Sequence, residues 1–384
     1  MQNNINQSAL SDNSLLKYIE IKINELTLTD EDLMSCEISW DSSKFGIEGN
    51  ILIKDNLDIL NQIQPNYETT LTIYAKDSFD NFFQKEFRIV KSEELFVNKI
   101  KMLNFTFIDN IYYVLNSTYI SKSYCNTTLT DILNDYLKYL NLETNTNFTI
   151  TNKIEFIVVP QHISFLEWFL KELEKEGCTI YQDRYGMHLK KYSELYPTKL
   201  ETLDKVDNSN ISHKLTQNVP SEHYIFKIHE LKINFNNLLN KPPISSYKFY
   251  NFDKKTIQEH NSTLKDVYTN YKLNTYDNSD MQTNYGIKYN TQQHSTSNYL
   301  EKELSVFSKN ENIEVILYGN IKYNKFYFNY NVDLAGSLNH IQGRNEGNIV
   351  QSGIYTCYKV QDKFIGGKLI QKLSLSRIDF TEKR

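Results

Sequence analysis

Residues 158–190 read VVPQHISFLEWFLKELEKEGCTIYQDRYGMHLK, and this stretch predicts a capped helix followed by a tight hairpin. Ser164 and Glu167 have the spacing of a capping box, in which each side chain accepts a hydrogen bond from the other residue's backbone amide. Apolar residues then recur at helical spacing and predict one buried face: Leu166, Phe169, Leu170 and Leu173. Glu167 and Lys171 can pair on the other face, and Gly177 suits the left-handed residue that ends a helix.

The residues after Gly177 alternate in polarity on both sides of a predicted turn. Asp183 and Gly186 suit the first and last positions of a type I turn. The stretch therefore predicts a hairpin that packs back on the helix.

The chain before this unit changes its hydrophobic period near residue 124. Residues 17–123 hold several short alternating segments separated by polar or Gly-containing turns, as in a small barrel or sandwich. Thr128 and Asp131 then form a second capping-box pair. The helical face that follows is Leu129, Ile132, Leu133, Tyr136, Leu137 and Leu140. We predict a first β-barrel domain at 1–123 and an α/β insert at 124–206, whose tail, ETLDKVDNSN at 201–210, is a linker.

Strand patterning resumes after residue 210 and predicts a second β-barrel formed by residues 207–252 and 311–384. Residues 253–310 are polar and predict an insertion into that barrel, with a helix near SNYLEKELSVFSK at 297–309. Asn66-Tyr67 and Asn329-Tyr330 each lead into a strand and then a pair of alternating segments. Either two meanders look alike by chance, or the chain carries two copies of one barrel.

The predicted fold class is therefore β-rich α+β. It has two small related antiparallel β-barrels separated by an α/β insert, and an insertion interrupts the second barrel. A chain of 384 residues with 40% hydrophobic content is long enough for roughly two to four such domains.

Composition excludes several classes of function. A net charge of −5 provides no basic field for a polyanion, so we expect no specific nucleic-acid binding. The sequence has neither the ~18 consecutive apolar residues of a membrane span nor the pattern of a signal peptide. The four cysteines, Cys36, Cys125, Cys178 and Cys357, are scattered without a C-x-x-C pair, which argues against a zinc ribbon or a disulfide framework.

Motifs that carry chemistry are missing from the sequence. Gly366-Gly367-Lys368 lacks the upstream Gly and the following hydroxyl of a phosphate-binding loop, and the G-x-G-x-x-G, G-x-S-x-G and H-E-x-x-H patterns do not occur. We therefore expect no enzyme, no cofactor, and no catalytic, cofactor-binding or metal-ligating residue.

Weaker candidates for chemistry have simpler explanations. The nearest metal candidate is His223, His229 and Glu230, but on a strand the two histidines lie about 20 Å apart at ~3.3 Å per residue. His162 and His188 are expected to be hydrogen-bonded or exposed. Four carboxylates, Glu167, Glu172, Glu174 and Glu176, fit a solvated helix face better than a paired-acid site. Aromatic runs at 110–121 and 325–333 could stack on bases, but strand aromatics more often pack a barrel or an interface.

The 158–190 block resembles the insert of the baseplate hub family of contractile tails. That family includes the T4-type phage hub and the N-terminal hub part of type VI secretion spike proteins. The C-terminal stretch is also similar to the end of the family's second barrel, at Tyr355, Val360, Phe364, Gly367, Leu373, Leu375 and Arg377. The order of barrel, insert and interrupted barrel fits the family over nearly the whole chain.

This resemblance implies a structural hub of a phage tail baseplate, located in the virion tail and assembled in the host cytoplasm. Two related barrels in each of three chains would form a ring with six similar surfaces, adapting a sixfold tail tube to a threefold central spike around the genome exit path. The implied partners are two further copies of the chain, a separate spike protein, the tail tube, the tape-measure protein and the baseplate wedge proteins. The spike is expected to be separate because no needle repeats follow the last strand before Arg384.

Two alternative functions remain open at this point. A tail-associated cell-wall-degrading enzyme would need a cleft with convergent carboxylates or a metal triad. A receptor-binding tail adaptor would be favoured by repeats or a terminal binding domain. The sequence shows neither set of features.

Overall fold

The structure is a computed structural model that describes the first half of the chain almost continuously. Residues 16–205 are described except 30, 56–57, 64, 67, 78–79, 98–99, 149, 151–152, 193–194 and 196–199. Beyond them it describes residues 224–233, 246–251, 256–261, 283–288, 311–318, 321, 325–333 and 353–377. The helix expected at 297–309 lies outside the described residues.

The first strand set lies within residues 16–116 and consists of seven strands and two short helices. Its elements are β1 (Tyr18–Ile23), β2 (Leu26–Leu28), β3 (Leu33–Asp41), β4 (Glu48–Lys54), α1 (Ile59–Ile63), β5 (Thr70–Lys76), β6 (Phe82–Val97), β7 (Ile100–Asp109) and α2 (Asn110–Asn116). The alternating segments predicted here are strands. Helix α2 was not expected in the aromatic run at 110–121; it begins because Asp109 Oδ1 accepts the Tyr112 amide at 2.7 Å and caps it.

The insert contains the two predicted capped helices. Its elements are β8 (Lys122–Thr128), α3 (Leu129–Tyr139), β9 (Thr146–Phe148), β10 (Lys153–Val159), α4 (Phe165–Lys175), β11 (Cys178–Asp183) and β12 (Gly186–Lys191). Thr128 and Asp131 form both halves of a capping box, as predicted. Ser164 accepts the Glu167 amide at 3.2 Å, whereas the Glu167 carboxylate accepts from Lys171 at 2.7 Å. The apolar faces of both helices are buried except for Leu140, which is partly buried, and Leu170, which is exposed.

The hairpin predicted after Gly177 is present as β11–β12. Gly177 has φ 65° just after the C-cap, and Asp183 pairs with Gly186 across a two-residue turn. Asp183 Oδ1 also accepts the Tyr185 amide at 2.8 Å, which fixes the turn locally. Of the residues in this turn, Gly186 has a positive φ, at 122°.

The remaining strands lie in the C-terminal half. They are β13 (Leu200–Lys205), β14 (Tyr224–Ile233), β15 (Ser246–Asn251), β16 (Thr256–Asn261), β17 (Thr283–Lys288), β18 (Glu311–Tyr318), β19 (Asn329–Asp333), β20 (Gly353–Ile365) and β21 (Lys368–Arg377). We refer to β13, β14 and β18–β21 as the second strand set. Strands β15, β16 and β17 form a separate three-stranded sheet.

Two details differ from the sequence prediction. Residues 201–205 of the expected linker belong to strand β13, because they pair in parallel with β19 and, at two positions, with β14. Residues 246–251, placed in the second barrel, pair instead with β16 and β17, because β16 follows after a connection of four residues. The pairing of β13 with β19 joins segments far apart in the sequence, so the polar composition of residues 201–205 does not show it.

One sheet of 13 strands joins the first and second strand sets. Its order is β19-β13-β14-β18-β21-β20-β3-β4-β7-β6-β5-β1-β2, so the sets meet where β20 pairs with β3. A single apolar core runs under both sets, from Ile19 to Leu375, and a second core lies around the helices of the insert. The predicted β-rich character, with largely antiparallel pairing, is confirmed.

The two strand sets repeat one pattern of connections in chain order. In the first set β3 pairs with β4, β4 with β7, β7 with β6, and β6 with β5. In the second set β14 pairs with β18, β18 with β21, β21 with β20, and β20 with β19. All eight pairings are antiparallel. The echo around Asn66 and Asn329 therefore extends to strand topology.

The repeat extends to single residues in the hairpins β6–β7 and β20–β21. Val97 pairs with Ile100, and Ile365 pairs with Lys368, so two residues connect the strands in each hairpin. Each first strand has a β-bulge seven residues before its end, at Val90 in β6 and at Tyr358 in β20. Bulges are specific local features, so their matching positions support a true repeat.

The sets differ in how their outer strands pair. In the second set the pairings run from β19 through β13, β14, β18, β21 and β20 and return to β19. In the described part of the first set they run as an open row from β2 to β3. Strand β13 is parallel to β19, whereas β1 is antiparallel to β5.

Candidate assembly interface

The pairing of β3 with β20 is the place where the two repeats meet, and we call it the junction. Six residues of β20, Lys359 to Phe364, pair antiparallel with Asp41 to Cys36 of β3. The core-facing residues Val360 and Phe364 are fully buried there. The Leu16 amide adds a further link, since it donates to the Gly367 carbonyl in the β20–β21 loop at 2.8 Å.

A buried polar contact fixes the register of the junction. Trp40 Nε1 donates to Asp362 Oδ2 at 2.9 Å, and Gln371 Nε2 donates to Asp362 Oδ1 at 2.7 Å. All three side chains are buried. A buried carboxylate without such donors would be costly, so a shift of β20 along β3 is strongly disfavoured. Sequence reasoning missed this contact, although Asp362 stands in phase with Val360 and Phe364, which signals a buried polar residue.

The outer side of the junction carries charges of both signs. Lys363 pairs with Glu37 across β20 and β3, and Lys372 Nζ lies 2.7 Å from Glu314 Oε2 on neighbouring strands. Lys359 lies on the same surface. Exposed pairs of this kind contribute only about 0–1 kcal/mol each. This surface has no single-sign charge that would attract a polyanion.

The insert docks on the first strand set through a second polar cluster. Lys85 Nζ on β6 lies 2.7 Å from Asp109 Oδ2 and donates to Gln182 Oε1 at 2.8 Å. Gln182 Nε2 donates in turn to Asp109 Oδ1 at 3.1 Å. Because Asp109 also caps α2, one carboxylate connects β6, α2 and the β11–β12 hairpin.

The same hairpin also contacts the second strand set. Asp183 Oδ2 accepts the Phe326 amide at 3.4 Å, and Asp183 Oδ1 lies 2.8 Å from His188 Nε2. Tyr181 stacks on His188 with ring centroids 4.8 Å apart and meets Tyr327 edge-on at 5.1 Å. The hairpin is thus held between the two repeats.

Burial controls ionisation in this region. Burial raises the pKa of the Tyr181 hydroxyl and of the Cys36 and Cys357 thiols well above their ordinary values. Because a thiolate is the reactive form of cysteine, both thiols are held in the unreactive neutral form.

The histidine candidates do not come together into a site. His188 is buried and bonded to Asp183, whereas His162 is exposed. His223 lies outside the described residues, and His229 and Glu230 lie on β14, of which the backbone is described. Within the described ranges, no three His, Cys, Asp or Glu side chains are close enough to hold a metal ion.

The glutamates of α4 form ion pairs with lysines of the same helix. Lys171 pairs with Glu167 at 2.7 Å and Lys175 with Glu172 at 2.5 Å. Both pairs have the i,i+4 or i,i+3 spacing of a helix surface. Glu174 is exposed and Glu176 is the C-cap residue of α4.

The aromatic run at 325–333 packs inward. Phe326, Tyr327, Phe328 and Tyr330 are all buried in the core shared by the two repeats. The faces that could stack on bases are therefore occupied by protein. In the part of the chain that the structure describes, no helix is both long and apolar enough to cross a membrane.

Comparison with known proteins gives no match by sequence but clear matches by structure. No protein family model and no curated protein matches the chain. The chain is similar to the 43 kDa tail protein of prophage MuSo2 from Shewanella oneidensis, with a TM-score of 0.60 and 10% identity over 94% of this chain and 98% of that one. It is also similar to the tail protein from Neisseria meningitidis MC58, with a TM-score of 0.58 and 7% identity over 94% and 96% of the two chains.

A third similar structure comes from a secretion system. It is the E. coli c3393 protein, described as a component of the type VI secretion system with structural similarity to the T4 bacteriophage tail proteins gp27 and gp5. The TM-score is 0.51 with 8% identity, over 95% of this chain and 79% of that one. At these identities the comparisons establish the fold. The predicted resemblance to hub-like tail proteins is confirmed.

Proposed function

We propose that this chain is a structural hub of a phage tail baseplate. Three copies form a ring that adapts the sixfold tail tube to a threefold central spike and surrounds the genome exit path. The observation that carries the proposal is the repeat of strand pairing and bulge position within one chain. The fold shared with two tail proteins and a type VI secretion component supports it.

The repeat gives the proposal its physical basis. A ring of three identical chains has threefold symmetry, and a protein with one binding surface per chain offers three equivalent sites. Two related units per chain, the proposed barrels of the first and second strand sets, offer six similar surfaces while the whole ring stays threefold. The ring of pairings in the second strand set fits the second of these barrels.

The proposed partners follow from this position in the tail. The ring contacts the tail tube and the tape-measure protein on its sixfold side and a separate spike protein on its threefold side, with baseplate wedge proteins around it. The c3393 protein, a type VI secretion component with structural similarity to T4 tail proteins, supports a place among tail components. The proposal places the chain in the virion tail, after assembly in the host cytoplasm, and gives it no catalytic role.

The mass of the purified protein tests the proposal. We expect light scattering to give about three times the chain mass of 45.3 kDa, and electron-microscopy class averages down the symmetry axis to show six similar densities around a channel. A dimer, or a trimer whose projections show three densities without a sixfold repeat, would contradict the proposed adaptor.

A further inference from the structure

We infer that neighbouring copies of this chain join by strand addition, in which residues 92–96 of β6 in one copy pair antiparallel with residues 228–233 of β14 in the next. This inference rests on the proposed ring and specifies the interface that closes it. The occupant of each free strand edge is a second copy of this chain.

The junction within the chain shows how such an interface is built. Strand β20 is divided by its bulge at Tyr358. Residues 353–356, before the bulge, pair with β19 inside the second repeat. Residues 359–364, after the bulge, pair with β3 of the first repeat. The bulge bends the strand and lets one strand serve two partners.

Strand β6 has the same division but lacks the second partner among the described residues. Residues 82–88, before the bulge at Val90, pair with β5. Residues 91–97, which we call the arm, pair with β7 on one side, and the described structure places no strand on the other. An unpaired strand edge is a template for a further strand.

Burial along the arm supports a missing partner. Since Val97 corresponds to Ile365, Phe96 corresponds to Phe364 and Ser92 to Val360. Phe364 is 2% exposed in the junction, whereas Phe96 is 71% exposed on the arm. A large aromatic is thus present at both positions, and only one of them is covered. Leu95 and Ile100 of the same hairpin are exposed as well, and several exposed apolar residues along an unpaired strand edge are typical of an interaction site.

Strand β14 offers the complementary edge. It corresponds to β3, because β3 pairs with β4 as β14 pairs with β18. Within the described strands, β13 pairs with β14 at residues 224 and 225, which leaves residues 228–233 paired with β18 alone. The matching part of β3, residues 36–40, is covered by β20 in the junction.

The repeat also predicts the register between copies. Ile51 of β4 and Val315 of β18 are equivalent, because their partners on β7 and β21 are equivalent. Ile51 pairs with Cys36 of β3 and Val315 pairs with Ile228 of β14, so Cys36 and Ile228 are equivalent too. Strand β14 has one extra residue between Ile228 and Glu230 relative to β18. Copying the junction then pairs the following residues of the arm and of β14: Ser92 with Ile233, Glu93 with Lys232, Glu94 with Leu231, and Phe96 with Ile228. The second pair joins opposite charges and the last joins apolar residues, and both combinations stabilise cross-strand neighbours.

The arithmetic of closure supports the same arrangement. Each chain contributes one junction within itself and one contact from its arm to the next copy. Three chains therefore give six similar strand contacts around the ring, alternating within and between chains. A head-to-tail contact forms a closed ring when its rotation divides a full turn, so the proposed ring of three copies requires each of its six contacts to turn the chain by one sixth.

Disulfide trapping in the full-length protein tests this register. In a Cys125→Ser background, which removes the exposed native thiol, we would combine Glu93→Cys with Lys232→Cys. Directly opposite strand residues lie about 4.5–5.5 Å apart at Cα, within the range a disulfide bridges. We expect oxidation to give covalent dimers and trimers that disappear on reduction. The matched control, Lys91→Cys with Lys232→Cys, is displaced by about 7 Å along the strand and should not cross-link.

Light scattering of the same variants separates the two proposals. A trimer that cross-links through 93 and 232 but not through 91 and 232 supports both the ring and its register. A trimer without cross-links, or one that cross-links equally in the control, overturns the strand-addition inference and leaves the hub proposal standing. A monomer at micromolar concentration overturns the ring and, with it, the inference.

Discussion

Truncating two equivalent phenylalanines should affect different properties of the protein. Phe364→Ala should weaken folding, whereas Phe96→Ala should weaken assembly. Phe364 lies in the junction opposite Cys36 of β3 and Leu369 of β21, and all three side chains are buried to within 2% exposure. Phe364→Ala leaves a cavity that the paired strands around it cannot close. We therefore expect a loss of about 3–5 kcal/mol in the free energy of unfolding. Phe96 is 71% exposed, and its truncation should change that free energy by at most about 0.5 kcal/mol.

The assay is guanidinium unfolding, followed by tryptophan fluorescence and far-UV circular dichroism, at dilutions where light scattering gives the monomer mass. Trp40 reports directly on the junction, because its indole contacts Asp362 there. At higher concentration, Phe96→Ala should lower the fraction of trimer while the monomer stays folded. A loss below about 1 kcal/mol for Phe364→Ala, or equal destabilisation of the monomer by both variants, would refute the assignment of one residue to folding and the other to assembly.

Three further changes test local features of the fold. Gly49→Ala would place a methyl group 2.5 Å from the Phe107 ring, so we expect a loss of about 1–3 kcal/mol in a denaturant titration, and a wild-type midpoint would contradict the packing. Thr128→Ala removes the N-cap of α3, including its bond to the Asp131 amide, and should lower the free energy of unfolding by about 1 kcal/mol in the same titration. An unchanged midpoint would show that the cap does not stabilise the fold. Burial raises the pKa of Tyr136 to about 12, above its unfolded value near 10, so its contribution to stability is present below pH 10 and is lost as pH rises through 12. Absorbance at alkaline pH should show this tyrosine ionising together with unfolding, whereas ionisation near pH 10 in a folded protein would contradict its burial.

Local structure was largely predictable from the sequence. The Thr128–Asp131 and Ser164–Glu167 spacings marked both helix starts, because a cap is satisfied by residues three positions apart. The β11–β12 turn was predictable for the same reason, since Asp183 and Gly186 are close in the chain. Helix α2 was missed because the pattern of its aromatic residues suits a strand, and the cap that starts the helix comes from the last residue of β7.

The candidate interface could be predicted only in part. The sequence echo pointed to two related units, and the structure adds matching strand order and matching bulges at Val90 and Tyr358. His162 is exposed and His188 is hydrogen-bonded, as expected, and Glu167 pairs with Lys171 on the surface of α4 as predicted. The buried contacts of Asp362 and Asp109 were not anticipated, because each depends on donors from distant segments.

The sequence by itself therefore determined the elements of this protein: where strands alternate, where helices are capped, and where two residues turn a hairpin. These features depend on side chains a few positions apart, so their physical causes are contained in short windows of sequence. Only the tertiary structure decided which strands become neighbours. Trp40 and Asp362 meet across 322 positions of sequence, β13 pairs in parallel where a linker was expected, and no described strand pairs with the outer edge of the arm. Alternation tells which face of a strand is buried, but every strand edge carries the same backbone donors and acceptors, so the choice of partner rests on the packing of the whole chain.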